Sequence, residues 1–173
     1  MIPSGSQTVG PFFNFALTTN SGLGKMAGVD VEGERIQLEF RVSDGDGVAT
    51  PGDTMIELWQ ADAAGSYEGS ASFTGFGRLE TDVDGVCTFE TIRPGRVDGQ
   101  APHISVIVFG RGLNRHLFTR VYFAGEPAND TDAALALVPA ERRSTLIAQP
   151  VGGNTWRMEI RLQGENETVF FDL

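Results

Sequence analysis

Regular alternation of apolar and polar residues is the feature that most limits what this chain can fold into. Apolar side chains alternate with charged or polar ones through residues 35–42, and again through residues 156–163. Successive side chains of a β-strand point to opposite faces, so a period of two indicates strands with one buried face. The chain is therefore expected to be built mainly of half-buried strands rather than helices.

Further candidate strands lie between these two segments, at Thr54–Gln60, Val86–Ile92, residues 104–109 and Leu117–Phe123. Residues 104–109 are nearly all apolar, which is typical of a strand covered on both faces. Glycine-containing turns separate the strands. The pattern predicts an all-β fold, an antiparallel β-sandwich with extended terminal segments, in one domain over residues 1–173. One short helix is predicted over residues 139–148, with Pro139 at its first position.

The charge balance limits the partners that the chain can bind. Thirteen basic and 23 acidic residues give a formal net charge of -10, which argues against binding nucleic acid through its phosphates. An anionic small molecule would need a local positive group. Cys87 is the only cysteine, so no internal disulfide is possible. With no secretory pattern and no apolar run of membrane-spanning length, we expect a cytoplasmic protein.

Three residues give the outline of a transition-metal site. Tyr67 ends an aromatic and polar run, and His103 is followed two positions later by Ser105, where a second His would complete a His-x-His pair. Tyr122 and His116 could supply the missing ligands by number alone. However, they are six residues apart on a predicted strand, or roughly 20 Å, so they cannot both reach one metal ion.

Several separate motifs resemble the intradiol ring-cleaving dioxygenases, in the order and approximate spacing of that family. They are Leu58-Trp59-Gln60-Ala61-Asp62 leading to Tyr67, the stretch at 91–95, and Ala101-Pro102-His103-Ile104. The resemblance spans nearly the whole chain. Its two ends, at residues 6–12 and 163–172, are most similar to the alpha chains of heteromeric members.

The resemblance implies an all-β fold and a ferric enzyme chemistry. Catalytic chains of this family hold Fe(III) with two tyrosinates and two histidines, and anionic phenolate oxygens suit a trivalent ion. The ferric centre acts as a Lewis acid towards a catechol, and O2 adds to the activated ring. Cleavage between the two hydroxyl-bearing carbons gives a muconate.

Carried onto this chain, the ligand pattern is incomplete. Tyr67 matches the first Tyr and His103 the first His, whereas Val97 stands at or beside the second Tyr position and Ser105 at the second His position. We call these four positions the vestigial site. The resemblance implies that Fe(III) is carried by a partner beta chain and that this chain holds neither metal nor catalytic residues of its own. Tyr67 and His103 are then expected to be hydrogen-bonded structural residues.

In the alpha chains of the family, a second set of positions closes part of the substrate pocket at the interface with the beta chain. Thr8, Gly10, Pro11 and Arg111 match that set. A guanidinium is a good counter-ion for the carboxylate of an anionic catechol, and a glycine lets backbone approach a ligand closely. The alternative for Arg111 is an ion pair at the interface or on the surface.

The sequence leaves two other functions and one structural alternative open. The chain could be an independent dioxygenase with a rearranged metal site that recruits Asp98 or Glu68, or a β-sandwich binding module without catalysis. We expect the apolar terminal segments, at residues 11–15 and 169–173, to pack against another chain; the alternative is that they clamp the edge of their own domain.

Overall fold

The computed structural model describes residues 7–8, 10–45, 47 and 54–172, without the side chains of residues 11–14. The strands are β1 (Arg35–Ser43), β2 (Thr54–Gln60), β3 (Phe76–Glu80), β4 (Val86–Ile92), β5 (Ile104–Gly110), β6 (Leu117–Phe123), β7 (Ile147–Gly152) and β8 (Thr155–Arg161). The helices are α1 (Pro11–Thr18), α2 (Ala133–Leu137) and the 3-10 segments Ser21–Gly24, Pro127–Thr131 and Ala140–Leu146. None of the helices in this described part combines the length and apolar character that a membrane crossing requires.

All eight strands belong to one sheet, in the order β3-β2-β5-β6-β7-β8-β1-β4. The sheet curls until its edge strands β3 and β4 contact each other, so it is nearly closed like a barrel. Two neighbouring pairs, β1 with β8 and β6 with β7, run parallel, and the others are antiparallel. The all-β class is confirmed, and the two parallel pairs make the sheet mixed rather than wholly antiparallel as predicted.

The core lies inside the curl and follows the period of two. Buried side chains from β1 include Ile36, Leu38 and Phe40, which alternate with more exposed polar residues. In β5 the even-numbered residues are buried and the odd-numbered ones are half-buried. The second face of β5 is therefore covered only in part, contrary to the prediction for its apolar run. That outer face, at the start of the strand, is where His103 and Ser105 lie.

The predicted helix and the terminal segments need correction. The region 139–148 contains a 3-10 helix, Ala140–Leu146, with Pro139 before its first residue, and then continues directly into β7. The N-terminal segment is not extended throughout, because α1 begins at Pro11. The fixed φ of proline favours it at the first position of a helix. The argument that predicted a helix at Pro139 therefore also predicts one that begins at Pro11.

The C-terminal segment lies along the edge of β6. The amide of Phe171 donates a hydrogen bond to the carbonyl of Phe118 over 2.7 Å, and the two residues form an antiparallel bridge. The Thr119 hydroxyl donates to the carbonyl of Val169 over 2.7 Å. Of the two predicted alternatives for this segment, clamping of the chain's own sheet is therefore the one observed.

Candidate functional site

A buried amide joins the ends of β2 and β4. Gln60, only 1% exposed, donates from Nε2 to the carbonyls of Ile92 (2.9 Å) and Ala61 (3.1 Å), and its Oε1 accepts from the Thr91 hydroxyl at 2.8 Å. Because a buried amide without partners is costly, these bonds define one arrangement of the two strand ends. The loops that come after β2 and β4 are thus held side by side.

The loop after β2 is shaped by Asp62. Its carboxylate accepts the amides of Ala64 and Ser66, both at 2.9 Å, and its carbonyl accepts the amide of Gly95 at 2.8 Å. Such local bonds are the usual way in which an aspartate stabilises a turn. The Trp59-Gln60-Ala61-Asp62 motif is therefore a structural unit that fixes the position of the loop containing Tyr67.

Close backbone contact brings the loop of Val97 against this turn. Gly65 has φ +84°, and a Cβ at this position would overlap the carbonyl oxygen of Arg96. Only glycine is tolerated at such a contact. The next turn, from Val97 to Gln100, contains Asp98 at φ 48°, and the Gln100 amide donates to the Val97 carbonyl over 2.8 Å.

Strand register places the other site residues on one outer face of the sheet. Trp59 of β2 pairs with Ser105 of β5, and Ser105 pairs with Arg120 of β6, so the three side chains form one row. His103 and Tyr122 lie two residues further along their strands, on the same face, with ring centroids 5.7 Å apart.

Tyr67 lies at the edge of this face and is 39% exposed. Its ring stacks on Trp59, with centroids 6.2 Å apart and an interplanar angle of 3°. Burial raises the pKa of the Tyr67 phenol, the positive charge of Arg120 opposes that shift, and the negative charge of Asp98 adds to it. In the metal-free chain these surroundings therefore favour the neutral phenol of Tyr67 over its phenolate.

His103 is buried, with 4% exposure, and bonded to the backbone. Its Nδ1 lies 2.8 Å from the carbonyl oxygen of Ala101, and since a carbonyl only accepts, Nδ1 carries the proton. Burial lowers the pKa of His103, and the positive charge of Arg120 lowers it further. The imidazole is thus held neutral in a fixed orientation.

A cation extends over this face from β6. Arg120 donates from Nη1 to Gln100 Oε1 over 2.8 Å and to the Tyr122 hydroxyl over 3.4 Å. Neither Arg120 nor Gln100 was predicted from the sequence. Arg120 can be identified as a site residue only from the register of β6 against β5, which pairs it with Ser105. No sequence motif encodes that pairing.

Behind Tyr122 lies a buried carboxylate that sequence reasoning also missed. Asp132 accepts the Tyr122 hydroxyl at 3.1 Å and the amides of Ala101 (2.8 Å), Ala134 and Leu135 (both 2.9 Å). Burial by itself would raise the pKa of Asp132, but these hydrogen bonds together hold it below its usual value. Burial raises the pKa of Tyr122 to about 12, so this phenol is also neutral.

These donors do not fit a ferric ion. Val97 has no donor atom, Ser105 offers only a hydroxyl, and the guanidinium of Arg120 stands on the same face. Among residues 7–8, 10–45, 47 and 54–172, no group of three or more His, Cys, Asp or Glu side chains could hold a metal ion.

The second predicted set lies at the other end of β5. The Thr8 hydroxyl donates to the carbonyl of Gly110 over 3.2 Å and accepts the amide of Gly112 at 2.8 Å, which fixes it against the turn that carries Arg111. Arg111 is exposed. Eight residues along an extended chain separate it from His103, or about 26 Å.

Gly10 and Pro11 come after Thr8, at the start of α1. Gly10 is the half-buried N-cap, and Pro11 is the first helical residue, whose side chain lies outside the described part of the structure. No Cβ built on Gly10 would meet an atom of the described chain within 4 Å. The described part of the chain therefore leaves the backbone at Gly10 uncrowded.

A cavity of about 600 Å³ opens beside this turn. His116 lies in its wall, with its ring centroid 5.7 Å from that of Phe109, at the opposite end of the sheet from Tyr122. Tyr122 and His116 thus lie in separate places, as their spacing predicted. Other residues of the wall are Gln7, Arg115, Phe118 and Phe171.

Comparisons with known proteins agree with these features. The family model described as Dioxygenase matches residues 9–164. The protocatechuate 3,4-dioxygenase alpha chain of Burkholderia cepacia is 42% identical, over 97% of this chain and 96% of that protein. The beta chain of the same enzyme and organism is 35% identical, over 68% of this chain and 56% of that protein.

A solved structure shows the same fold. It is the dioxygenase domain of a dioxygenase carbohydrate-binding protein fusion from Streptomyces sp. SirexAA-E, which superposes with a TM-score of 0.67 at 26% identity. The match covers 82% of this chain and 87% of that one.

Proposed function

Because the chain belongs to the intradiol ring-cleaving dioxygenase family, we propose that it is the alpha subunit of a protocatechuate 3,4-dioxygenase. In this proposal the iron belongs to a beta chain, and the heteromer cleaves 3,4-dihydroxybenzoate during the breakdown of aromatic compounds. One molecule of O2 is consumed, the bond between the two hydroxyl-bearing carbons breaks, and both oxygen atoms enter the product, 3-carboxy-cis,cis-muconate. The observation that carries the proposal is a family site whose donors do not fit iron, in a chain that aligns along its length with an alpha chain.

The same proposal gives the opposite end of β5 a role in catalysis. Thr8, Gly10, Pro11 and Arg111 line the substrate pocket of the beta chain's site. Arg111 lies about 26 Å along β5 from His103, and Thr8 is bonded to the turn of Arg111. This separation supports the proposal, because residues so far from the vestigial site would serve a different centre. Thr8 holds the turn by two hydrogen bonds, so Arg111 is presented from a fixed backbone.

When bound in the beta chain, Fe(III) supplies the Lewis acidity that activates a catechol. This chain contributes binding and orientation. The chain carries a net charge of -10, so a carboxylate substrate needs a local cation to approach it. Arg111 supplies one by pairing with the substrate's carboxylate, a geometry for which a planar guanidinium is well suited.

Co-expression with a beta chain of the family tests this function. We expect the two chains to purify together as a red-brown, active complex, coloured by tyrosinate-to-iron charge transfer, with about one iron for each beta chain. This chain expressed by itself should be colourless and inactive. Stoichiometric iron and activity in the isolated chain would overturn the proposal in favour of an independent enzyme. A stable monomer that ignores the beta chain would favour a binding module.

A further inference from the structure

The vestigial site contains a positive charge that its family pattern does not explain. Arg120 pairs directly with Ser105 across β5 and β6, and directly paired residues share a face of the sheet. The guanidinium therefore rises beside the position where the family pattern has its second His. On the other side of Ser105 stands Trp59, which supports Tyr67.

Arg120 is tied to acceptors that belong to this same face. It donates over 2.8 Å to Gln100, which stands three residues before His103, and over 3.4 Å to the hydroxyl of Tyr122. Tyr122 in turn donates to the buried carboxylate of Asp132 over 3.1 Å. A chain of hydrogen bonds thus connects a cation on the outer face to a buried anion through one phenol.

A guanidinium in this place has two consequences. A guanidinium offers donors and no acceptor atom, so it is not a metal ligand in the way that an imidazole is. It also repels a metal cation, and repulsion between charges a few ångströms apart is strong in a partly buried setting. Loss of two ligands weakens a metal site, whereas a fixed cation opposes the ion itself.

We propose that Arg120 is the resident cation of the vestigial site, where its guanidinium takes the place of the metal's positive charge and excludes iron. Gln100 and Tyr122 lie on the face where the family pattern places a metal cation. In this chain the acceptor groups of both residues bond to Arg120 instead. The role belongs to the chain's own fold and needs no beta chain.

Restoring the missing ligands gives a direct test in the full-length chain. The double variant Val97→Tyr, Ser105→His supplies the two ligand types that the family pattern requires. With Arg120 intact, we expect it to bind Fe(III) weakly. Adding Arg120→Gln should increase the affinity at least tenfold. The readouts are iron per chain after desalting and the charge-transfer absorbance of a tyrosinate bound to Fe(III).

The matched control is Arg161→Gln in the same double variant. Arg161 is an exposed residue at the end of β8, and its replacement changes the net charge by the same amount. We expect iron binding as weak as in the double variant. Equal iron binding with and without Arg120, or an equal gain from Arg161→Gln, would overturn the proposal.

A second measurement decides the case in which no variant takes up iron. In the otherwise unchanged chain, Arg120→Met leaves the acceptors of this face without a cation. Its melting temperature should fall by about 3 °C or more, and Arg120→Lys should recover part of that loss because it keeps the charge. An unchanged melting temperature for Arg120→Met would overturn the proposal. Failure to assemble with a beta chain would count only against the proposed function.

Discussion

The two ends of β5 are built in opposite ways. At its start, His103 and its neighbours on the outer face are bonded to groups of the same chain, and the loops around them are in backbone contact. At its end, an exposed arginine comes directly after the strand, beside a cavity of about 600 Å³. We call these the closed end and the open end.

The contrast fits the proposed function, in which a subunit has lost one site and kept another. At the closed end, hydrogen bonds join the guanidinium, a phenol and the buried carboxylate, and the imidazole is bonded to a backbone carbonyl. The loss of metal ligands therefore leaves few unpaired polar groups to destabilise the fold. At the open end, an anchored turn presents a cation and a cavity outward. The closed end is therefore expected to govern stability, and the open end to govern activity in the complex.

The largest difference between the two ends should come from a pair of glycines. Gly65 at the closed end and Gly112 at the open end both have positive φ, +84° and +90°, but only Gly65 is crowded by backbone. Gly65→Ala should cost roughly 4 kcal/mol of unfolding free energy, from backbone strain plus overlap with the Arg96 carbonyl. Gly112→Ala should cost about 1 kcal/mol. Urea denaturation measures both, and equal losses would show that the closed end is not more tightly packed.

A buried carboxylate gives the next effect. Asp132→Ala removes four accepted hydrogen bonds and the side-chain cap of α2, which should cost about 3 kcal/mol. Asp130→Ala, at an exposed position two residues earlier, should change stability by less than about 0.5 kcal/mol. Denaturation of the two variants under the same conditions measures the difference. Similar losses of unfolding free energy for both variants would show that Asp132 does not stabilise the closed end.

At the open end the expected effect is on turnover. Arg111→Ala in the complex with a beta chain should lower kcat/KM for 3,4-dihydroxybenzoate about tenfold, the loss of one charge-assisted contact. Thermal stability of the isolated chain should change little. Arg161→Ala serves as the distant control and should leave kcat/KM unaltered. If Arg111→Ala instead reduces the yield of complex while the kcat/KM of the remaining complex is normal, Arg111 is an interface residue and does not contact substrate.

The smallest effect is a pH dependence of stability that comes from His103 at the closed end. Burial holds the pKa of folded His103 below its ordinary value of 6.5, so the unfolded chain binds this proton first on acidification. Stability is therefore complete above pH 6.5 and falls as the pH drops from there through the folded pKa. His103→Gln should flatten this fall. Denaturation curves of the variant and the unchanged chain between pH 5 and pH 7.5 measure it, and equal slopes for the two proteins would contradict the prediction.

Sequence patterns predicted much of the sheet but little of what surrounds the vestigial site. Alternation and, for β5, a continuous apolar run located six strands, because each has at least one face in the core. Alternation missed β3, which has only five residues. It also missed β7, which contains Pro150 and directly follows the 3-10 helix Ala140–Leu146. Pairing with neighbouring strands stabilises β3 and β7, and their own sequences show no clear alternation of apolar and polar residues.

For the two sites, sequence motifs predicted which residues belong to them, and the folded structure was needed to find the residues that bond to these. Family resemblance identified Tyr67 and His103 and the substituted positions beside them. It gave no indication of Arg120, because cross-strand pairing depends on register and register is a property of the folded sheet. The role of Asp132 as a helix cap was within reach of sequence reasoning, since an aspartate before an Ala-rich stretch is a common start signal.

The bridge between Phe171 and Phe118 has a practical consequence for anyone who purifies this protein. It brings the last described residues alongside the cavity, so an affinity tag fused after them would emerge at the face proposed for the beta chain. The Gly152-Gly153 turn between β7 and β8 is a better place for a tag or a fluorescent label. Both glycines have open space around them, and β7 runs parallel to β6 beyond Phe123, away from that face.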